Sequence, residues 1–236
     1  MRIETLNDGQ ALAHRVAEWM TEAALAAATP FRVSLSGGST PKALYALLAS
    51  PPFRDRFPWQ RVFWYWGDER FVPHDHPESN YRMTREAMLA KAPVPLPNIH
   101  PVPADGTPDE AATRYERVLQ AAYGATSFDP ARPLFDITLL GLGADGHTAS
   151  LLPGEPVLTE RTRWVAAVSH GRPEVRITMT YPAIESSRHV AFLVAGKEKA
   201  AILKSIRAGG SDVPAARVKP VGDVTWFVDR AAAGEA

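Results

Sequence analysis

No cysteine occurs anywhere in the 236 residues. That excludes disulfide bridges, thiolate-held zinc and a cysteine nucleophile together. Nor is there a surplus of either charge. Twenty-six Lys and Arg stand against 26 Asp and Glu, a formal net charge of +0, so no broad basic face for nucleic acid or an anionic membrane is expected. A single cleft can still gather cations, because net charge does not constrain local charge. Apolar runs are short: Phe63–Trp66 and Ile137–Leu140 fall far below the roughly 18 residues of a membrane span. The opening MRIETLNDGQ lacks the apolar core of a secretory leader. The expectation is a soluble, cytoplasmic protein.

Hydrophobic residues make up 45% and charged residues 22%, enough for a core and too apolar for global disorder. The length fits one domain over residues 1–236. Leu12, Val16, Trp19, Met20, Ala23 and Ala27 recur at three and four, which predicts a helix over residues 11–28 that Pro30 ends. Phe31, Val33 and Leu35 alternate with polar residues as a strand. It runs into Ser36-Gly37-Gly38-Ser39-Thr40-Pro41, where Thr40 is the expected N-cap and Pro41 the first helical position. Residues 62–66 and 135–140 are continuous apolar runs, the pattern of strands buried on both faces. Ser79 is expected to cap a helix through about Lys91, and the proline-rich stretch 93–103 reads as a loop or short extended pieces. A helix over 108–123, strands over 164–168, 175–180 and 189–195, a helix over 197–207, a strand over 224–228 and a frayed tail over 231–236 complete the pattern. Strands alternating with helices predict an α/β fold: three layers, a mostly parallel sheet flanked by helices.

In such sheets ligands bind beyond the carboxyl ends of the strands, and three expected strand ends carry unusual polar loops. In the first, Gly37 and Gly38 let backbone N–H groups approach an anion. Ser39 and Thr40 add hydroxyls, and the following helix contributes its positive end, so a phosphate is the natural occupant. A glycine turn with a capping threonine would look the same. Lys42 lacks the preceding spacing of a nucleotide-binding P-loop. In the second, Asp68 can orient a hydroxyl or water, and Arg70 can clamp a phosphate with two hydrogen bonds. A salt-bridge cluster at a strand end is the plain alternative. The third, Gly141-Leu142-Gly143-Ala144-Asp145-Gly146-His147, has the glycine spacing of a dinucleotide loop. No acidic residue sits at the end of a next strand about 20 positions on, as such a loop requires. Its useful residues are Asp145 and His147: a histidine with an ordinary pKa near 6.5 is mostly neutral at neutral pH and can take a proton from water. The backbone near Gly143, or Arg70, could steady a developing oxyanion. No G-x-S-x-G marks a serine nucleophile. His74 and His76 have no accompanying metal-ligand set, so no metal is expected. Lys197 and Lys199 open a later helix and could reach a phosphate. His14, His100, His170 and His189 have no evident partner.

Taken in order, Ser36–Pro41, Gly67–Arg70 with Val72-Pro73 and Ser79-Asn80, Gly141–His147 with Ala149–Gly154, Arg176–Thr180 and Gly196–Ala200 closely resemble the 6-phosphogluconolactonase family. Five motifs in family order cover essentially the whole chain. The resemblance implies the fold of the sugar-phosphate isomerases and deaminases. It also implies hydrolysis of 6-phospho-D-glucono-1,5-lactone to 6-phosphogluconate, the second step of the oxidative pentose phosphate pathway, with no metal or cofactor. Carried over by position, it makes His147 the general base and places Asp68 and Arg70 at the substrate. It has Gly37, Gly38, Ser39 and Thr40 cradle the phosphate with Lys199, which directly precedes the helix alanine, Ala200. The partner implied is a small sugar-phosphate lactone, with neither nucleic acid nor membrane, bound by a monomer or weak homodimer.

Two rivals share parts of this pattern. Aminosugar-phosphate deaminase–isomerases have the glycine loop and the Asp-Gly-His motif, but continue with an acidic residue and asparagine where this chain has Thr148–Pro153. They also carry an aromatic where Arg70 stands. A sugar-phosphate-binding module of a transcription regulator would need a basic DNA-binding element, and the residues before the first expected strand hold only one helix.

Overall fold

The computed structural model describes residues 2–27, 30–169, 173–209 and 211–235. Ala28, His170 and Ala236, which entered the sequence reading, lie outside them. In chain order the strands are β1 Arg2–Leu6, β2 Phe31–Leu35, β3 Val62–Trp66, β4 Asp68–Arg70, β5 Ile99–His100, β6 Phe135–Leu140, β7 Val165–Val168, β8 Arg176–Met179, β9 Ser187–Val194 and β10 Asp223–Asp229. The helices are α1 Gly9–Ala26, α2 Ser39–Leu48, α3 Phe53–Arg56, α4 Asn80–Thr84, α5 Pro108–Tyr123, α6 Tyr181–Glu185, α7 Ala200–Arg207 and α8 Arg230–Ala233.

Seven strands form one sheet in the order β1-β10-β9-β6-β2-β3-β5, every neighbouring pair parallel. Helices flank it, as the alternation of patterns predicts. The apolar runs are buried as expected: Val62, Trp64, Phe135, Ile137 and Leu139 are all inaccessible. Asp8 starts α1 by accepting from the amides of Gln10 and Ala11. Thr107 and Glu110 close a reciprocal capping box on α5, and Gly124 ends it in the left-handed region at φ 80°, the conformation glycine adopts without a Cβ penalty.

The structure departs from the sequence reading at five places. β1, an edge strand, has no counterpart in that reading, whereas β5, the two-residue strand at the other edge, is a short extended piece of the kind expected within 93–103. The segment after Gly67 is a strand, not a loop. β4 pairs antiparallel with β8, and β8 with β7, in a second, three-stranded sheet, so β7 and β8 do not extend the parallel sheet. α2 is capped by Gly38 at φ 106°, not by Thr40, and Pro41 sits in its third helical position. The expected frayed end instead forms α8, with Ala232 fully buried and its amide donating to Asp229 Oδ1 at 2.7 Å. The helix after Ser79 does form, with Ser79 accepting from Arg82 N, and it continues through a π turn at residues 85–89.

Gly67 joins the two sheets. Its N–H donates to Leu35 O at 2.9 Å in the parallel sheet, and its carbonyl accepts from Met179 N at 2.8 Å in the antiparallel one. No helix among the described residues is long and apolar enough to cross a membrane.

Candidate active site

Two buried tyrosines fix the strand ends from which the loops depart. Tyr45 OH accepts from Ser36 N at 2.9 Å and donates to Ser36 O at 2.8 Å. Tyr115 OH does the same at Trp66, accepting from its amide at 2.7 Å and donating to its carbonyl at 3.0 Å. Burial pushes both hydroxyls up, so each stays protonated and can donate. Beyond these anchors the loops after β2, β3, β6 and β9 meet over one cleft of about 270 Å³, the size of one compact ligand.

All nine residues that the sequence proposed for the site line this cleft: Gly37, Gly38, Ser39, Thr40, Asp68, Arg70, Gly143, His147 and Lys199. Lys197 is not among the lining residues. Asn80, Thr148, Ala149, Arg176 and Glu198 join them, and the sequence reading named none of these as site residues. Arg176 lies directly opposite Arg70 in the β4–β8 pair, which puts two cations on one face. Arg70 Nη1 donates to Glu78 O at 2.7 Å, and its Nε is buried with no partner among the described residues. Lys199 Nζ is 4.0 Å from Glu198. No side chain among the described residues caps α2, so its first amides remain available to an anion at the cleft.

His147 Nδ1 is 2.5 Å from Asp145 Oδ1. A carboxylate can only accept, which places the proton on Nδ1 and leaves Nε2 with a lone pair. The amide of His147 also donates to Asp145 Oδ1, at 3.1 Å. Burial pushes the Asp145 carboxyl up, but the contacts with the His147 ring and backbone outweigh it and hold Asp145 below its ordinary value. The ring lies so close over Gly143 that a Cβ there would come within 2.0 Å of Nδ1. Gly143 is therefore a space requirement, and its N–H is already committed to His147 O at 2.8 Å. That removes this amide as an oxyanion donor.

Asp68 is nearly inaccessible at 6% exposure. Its Oδ2 accepts from Ser150 Oγ at 2.7 Å, and its carbonyl accepts from Asn80 Nδ2 at 3.0 Å. Glu69 points the other way. It accepts from the amides of Arg70, Asn80 and Tyr81 and from Ser79 Oγ, and burial raises its carboxyl despite these bonds. Glu69 thus holds the start of α4, which sets Asn80 over Gly37, where a Cβ would meet Asn80 Oδ1 at 2.1 Å. The remaining histidines of the β4–α4 loop serve structure: His74 Nε2 contacts Val102 O at 2.8 Å and His76 Nδ1 accepts from Glu78 N. Among the described residues no group of three or more His, Cys, Asp or Glu is placed to hold a metal ion.

The family described as "Glucosamine-6-phosphate isomerases/6-phosphogluconolactonase" matches residues 7–226. A 6-phosphogluconolactonase of Synechocystis is 44% identical over 207 residues, 85% of this chain and 82% of that protein. One from Haemophilus influenzae is 36% identical over 86% of each. The solved 6-phosphogluconolactonase of Trypanosoma cruzi superposes with a TM-score of 0.85 at 32% identity, over 99% of this chain and 96% of that one. A monomeric glucosamine-6-phosphate deaminase reaches a TM-score of 0.84 at 21% identity over the full length of both chains, a likeness of fold. The chain belongs to the glucosamine-6-phosphate isomerase/6-phosphogluconolactonase family and is an enzyme of the 6-phosphogluconolactonase type.

Proposed function

We propose that the chain hydrolyses 6-phospho-D-glucono-1,5-lactone to 6-phospho-D-gluconate, working as a single domain with His147 as general base. The observation that carries this reading is His147, paired with Asp145, lining one cleft with three cations, Arg70, Arg176 and Lys199. Arg70, whose Nε has no partner among the described residues, and Arg176 directly opposite it present positive charge that favours an anion in the cleft. The uncapped start of α2 at Gly37–Thr40 and Lys199 offer the same preference from the facing sheet. A phosphate held there fixes the sugar ring against His147, and such orientation lowers the barrier without any bond being made.

Nε2 of His147 takes a proton from water as the water oxygen bonds to the lactone carbonyl carbon. Asp145 keeps the ring in the required tautomer and steadies the imidazolium that forms. With the Gly143 amide committed, Arg70 is the donor for the carbonyl oxygen as it becomes an oxyanion. Collapse breaks the bond from that carbon to the ring oxygen, which takes the proton back from His147. The product acid then ionises. Asp68 orients a substrate hydroxyl or the water.

The test is hydrolysis of freshly made lactone at mildly acidic pH, where the uncatalysed reaction is slow. Wild type is expected to accelerate it, and folded His147→Ala to lose at least about 100-fold. Inert wild type overturns the substrate; an equally active variant overturns the base. Release of ammonia from glucosamine 6-phosphate is expected to be absent.

A further inference from the structure

We propose that Ser150 is a positioning residue: it aims the Asp68 carboxylate into the cleft and ties it to the segment that carries His147. The inference rests on the reading above in which Asp68 meets the substrate.

Ser150 is completely buried and lies three residues beyond His147. Its Oγ donates to Asp68 Oδ2 at 2.7 Å, leaving Oδ1, which has no hydrogen bond among the described residues, to meet a ligand. Its amide donates to Thr178 Oγ1 at 3.2 Å. Thr178 is the residue opposite Asp68 in the β4–β8 pair, and its own hydroxyl donates to Met179 O at 3.0 Å. Both hydrogen-bond donors of Ser150 therefore grip one rung of the antiparallel sheet, although Ser150 belongs to the loop that leaves the parallel one.

The turn that buries Ser150 is closed by Leu151 N donating to Thr148 O at 2.9 Å. It places Ala149 at φ 47°, in the left-handed region that a residue with a Cβ rarely enters. Such conformations persist where the surroundings over-determine them, commonly at functional sites. A carboxylate this buried is held in one orientation by such a donor. Without the hydroxyl, Oδ2 has no donor and the carboxylate can rotate away from the substrate. The His147 segment would also lose its tie to β4.

The experiment is a double-mutant cycle on lactone hydrolysis with Ser150→Ala, Asp68→Asn and the pair, each checked for folding by circular dichroism. Ser150→Ala is expected to lower kcat about tenfold with KM within about twofold, the signature of misplaced groups rather than lost binding. The pair is expected to be no slower than Asp68→Asn within about twofold, because Ser150 acts through Asp68. A merely structural serine would give losses that multiply, and that result overturns the proposal. So does Ser150→Ala at the wild-type rate, or a loss carried by KM alone. Asp68→Asn at the wild-type rate overturns the placing of Asp68 and this inference with it, while the His147 result stands separately. If Ser150→Ala does not fold, Ser150→Cys fills the volume with only a weak donor and carries the same cycle with the same expectations.

Discussion

At the scale of single residues, the site is set by groups whose surroundings leave little freedom. Gly143 is the sharpest case: any Cβ strikes the His147 ring and Asp145. Gly143→Ala is expected to displace the ring and cut kcat/KM about 100-fold, the size of effect that an ångström of misplacement produces, while the far-ultraviolet spectrum stays that of wild type. A second residue predicts a pH effect on stability. His100 stacks on Tyr65 with ring centres 4.7 Å apart, its Nε2 buried with no partner among the described residues. Burial holds it below its ordinary value of 6.5. A depressed folded-state value means that the stabilisation is complete above pH 6.5 and drains away as pH falls through the lowered value. The urea midpoint of wild type should therefore fall more than that of His100→Phe between about pH 7.5 and about pH 5. An unchanged difference between the two proteins would count against it. Of these features, the glycines and His147 were legible in the sequence because their chemistry is local. Arg176 and Asn80 were not, because only the β4–β8 register and the Glu69 anchor bring them to the cleft.

At the scale of elements, capping explains both success and failure in reading the chain. α5 carries its start signal as Thr107-Pro108-Asp109-Glu110 and its stop as Gly124, all within the sequence window of the helix. α2 offers Thr40-Pro41, an equally good local signal, yet it starts earlier at Gly38. The Tyr45 clamp on Ser36 and the positive φ of Gly38 decide where the strand ends, and both lie outside what a capping pattern records. Tyr45→Phe leaves the amide and carbonyl of Ser36 without their partner in a buried place. It is expected to destabilise the protein by about 1–3 kcal/mol, read as a lowered urea midpoint, and to raise KM by loosening the Gly37–Thr40 loop. The chain end departs from the expected fraying for a related reason. Asp229 accepts from Gly196 N, at 3.1 Å to each carboxylate oxygen, and from Ala232 N, so α8 is pinned to the turn that delivers Lys199. A tail of small residues gives no hint of that contact.

At the scale of the molecule, a net charge of zero hides a local gathering of cations. Arg70, Arg176 and Lys199 converge on the cleft beside Asp68 and Glu198. Inorganic phosphate should therefore compete with the lactone, raising KM without lowering kcat. The unphosphorylated lactone should lose most of its kcat/KM; equal turnover of the two would show that the cations do not read the phosphate. The parallel sheet was legible because buried strands announce themselves as apolar runs. The small antiparallel sheet was not: β7 and β8 read as strands, but β4 is only three residues long and pairs with β8 across more than a hundred positions. That second sheet hangs on Gly67, bonded through its amide to one sheet and through its carbonyl to the other. Native-state hydrogen exchange should accordingly find the amides of Gly67 and Met179 opening together at one shared free energy, as a single cooperative unit that bridges two architectures.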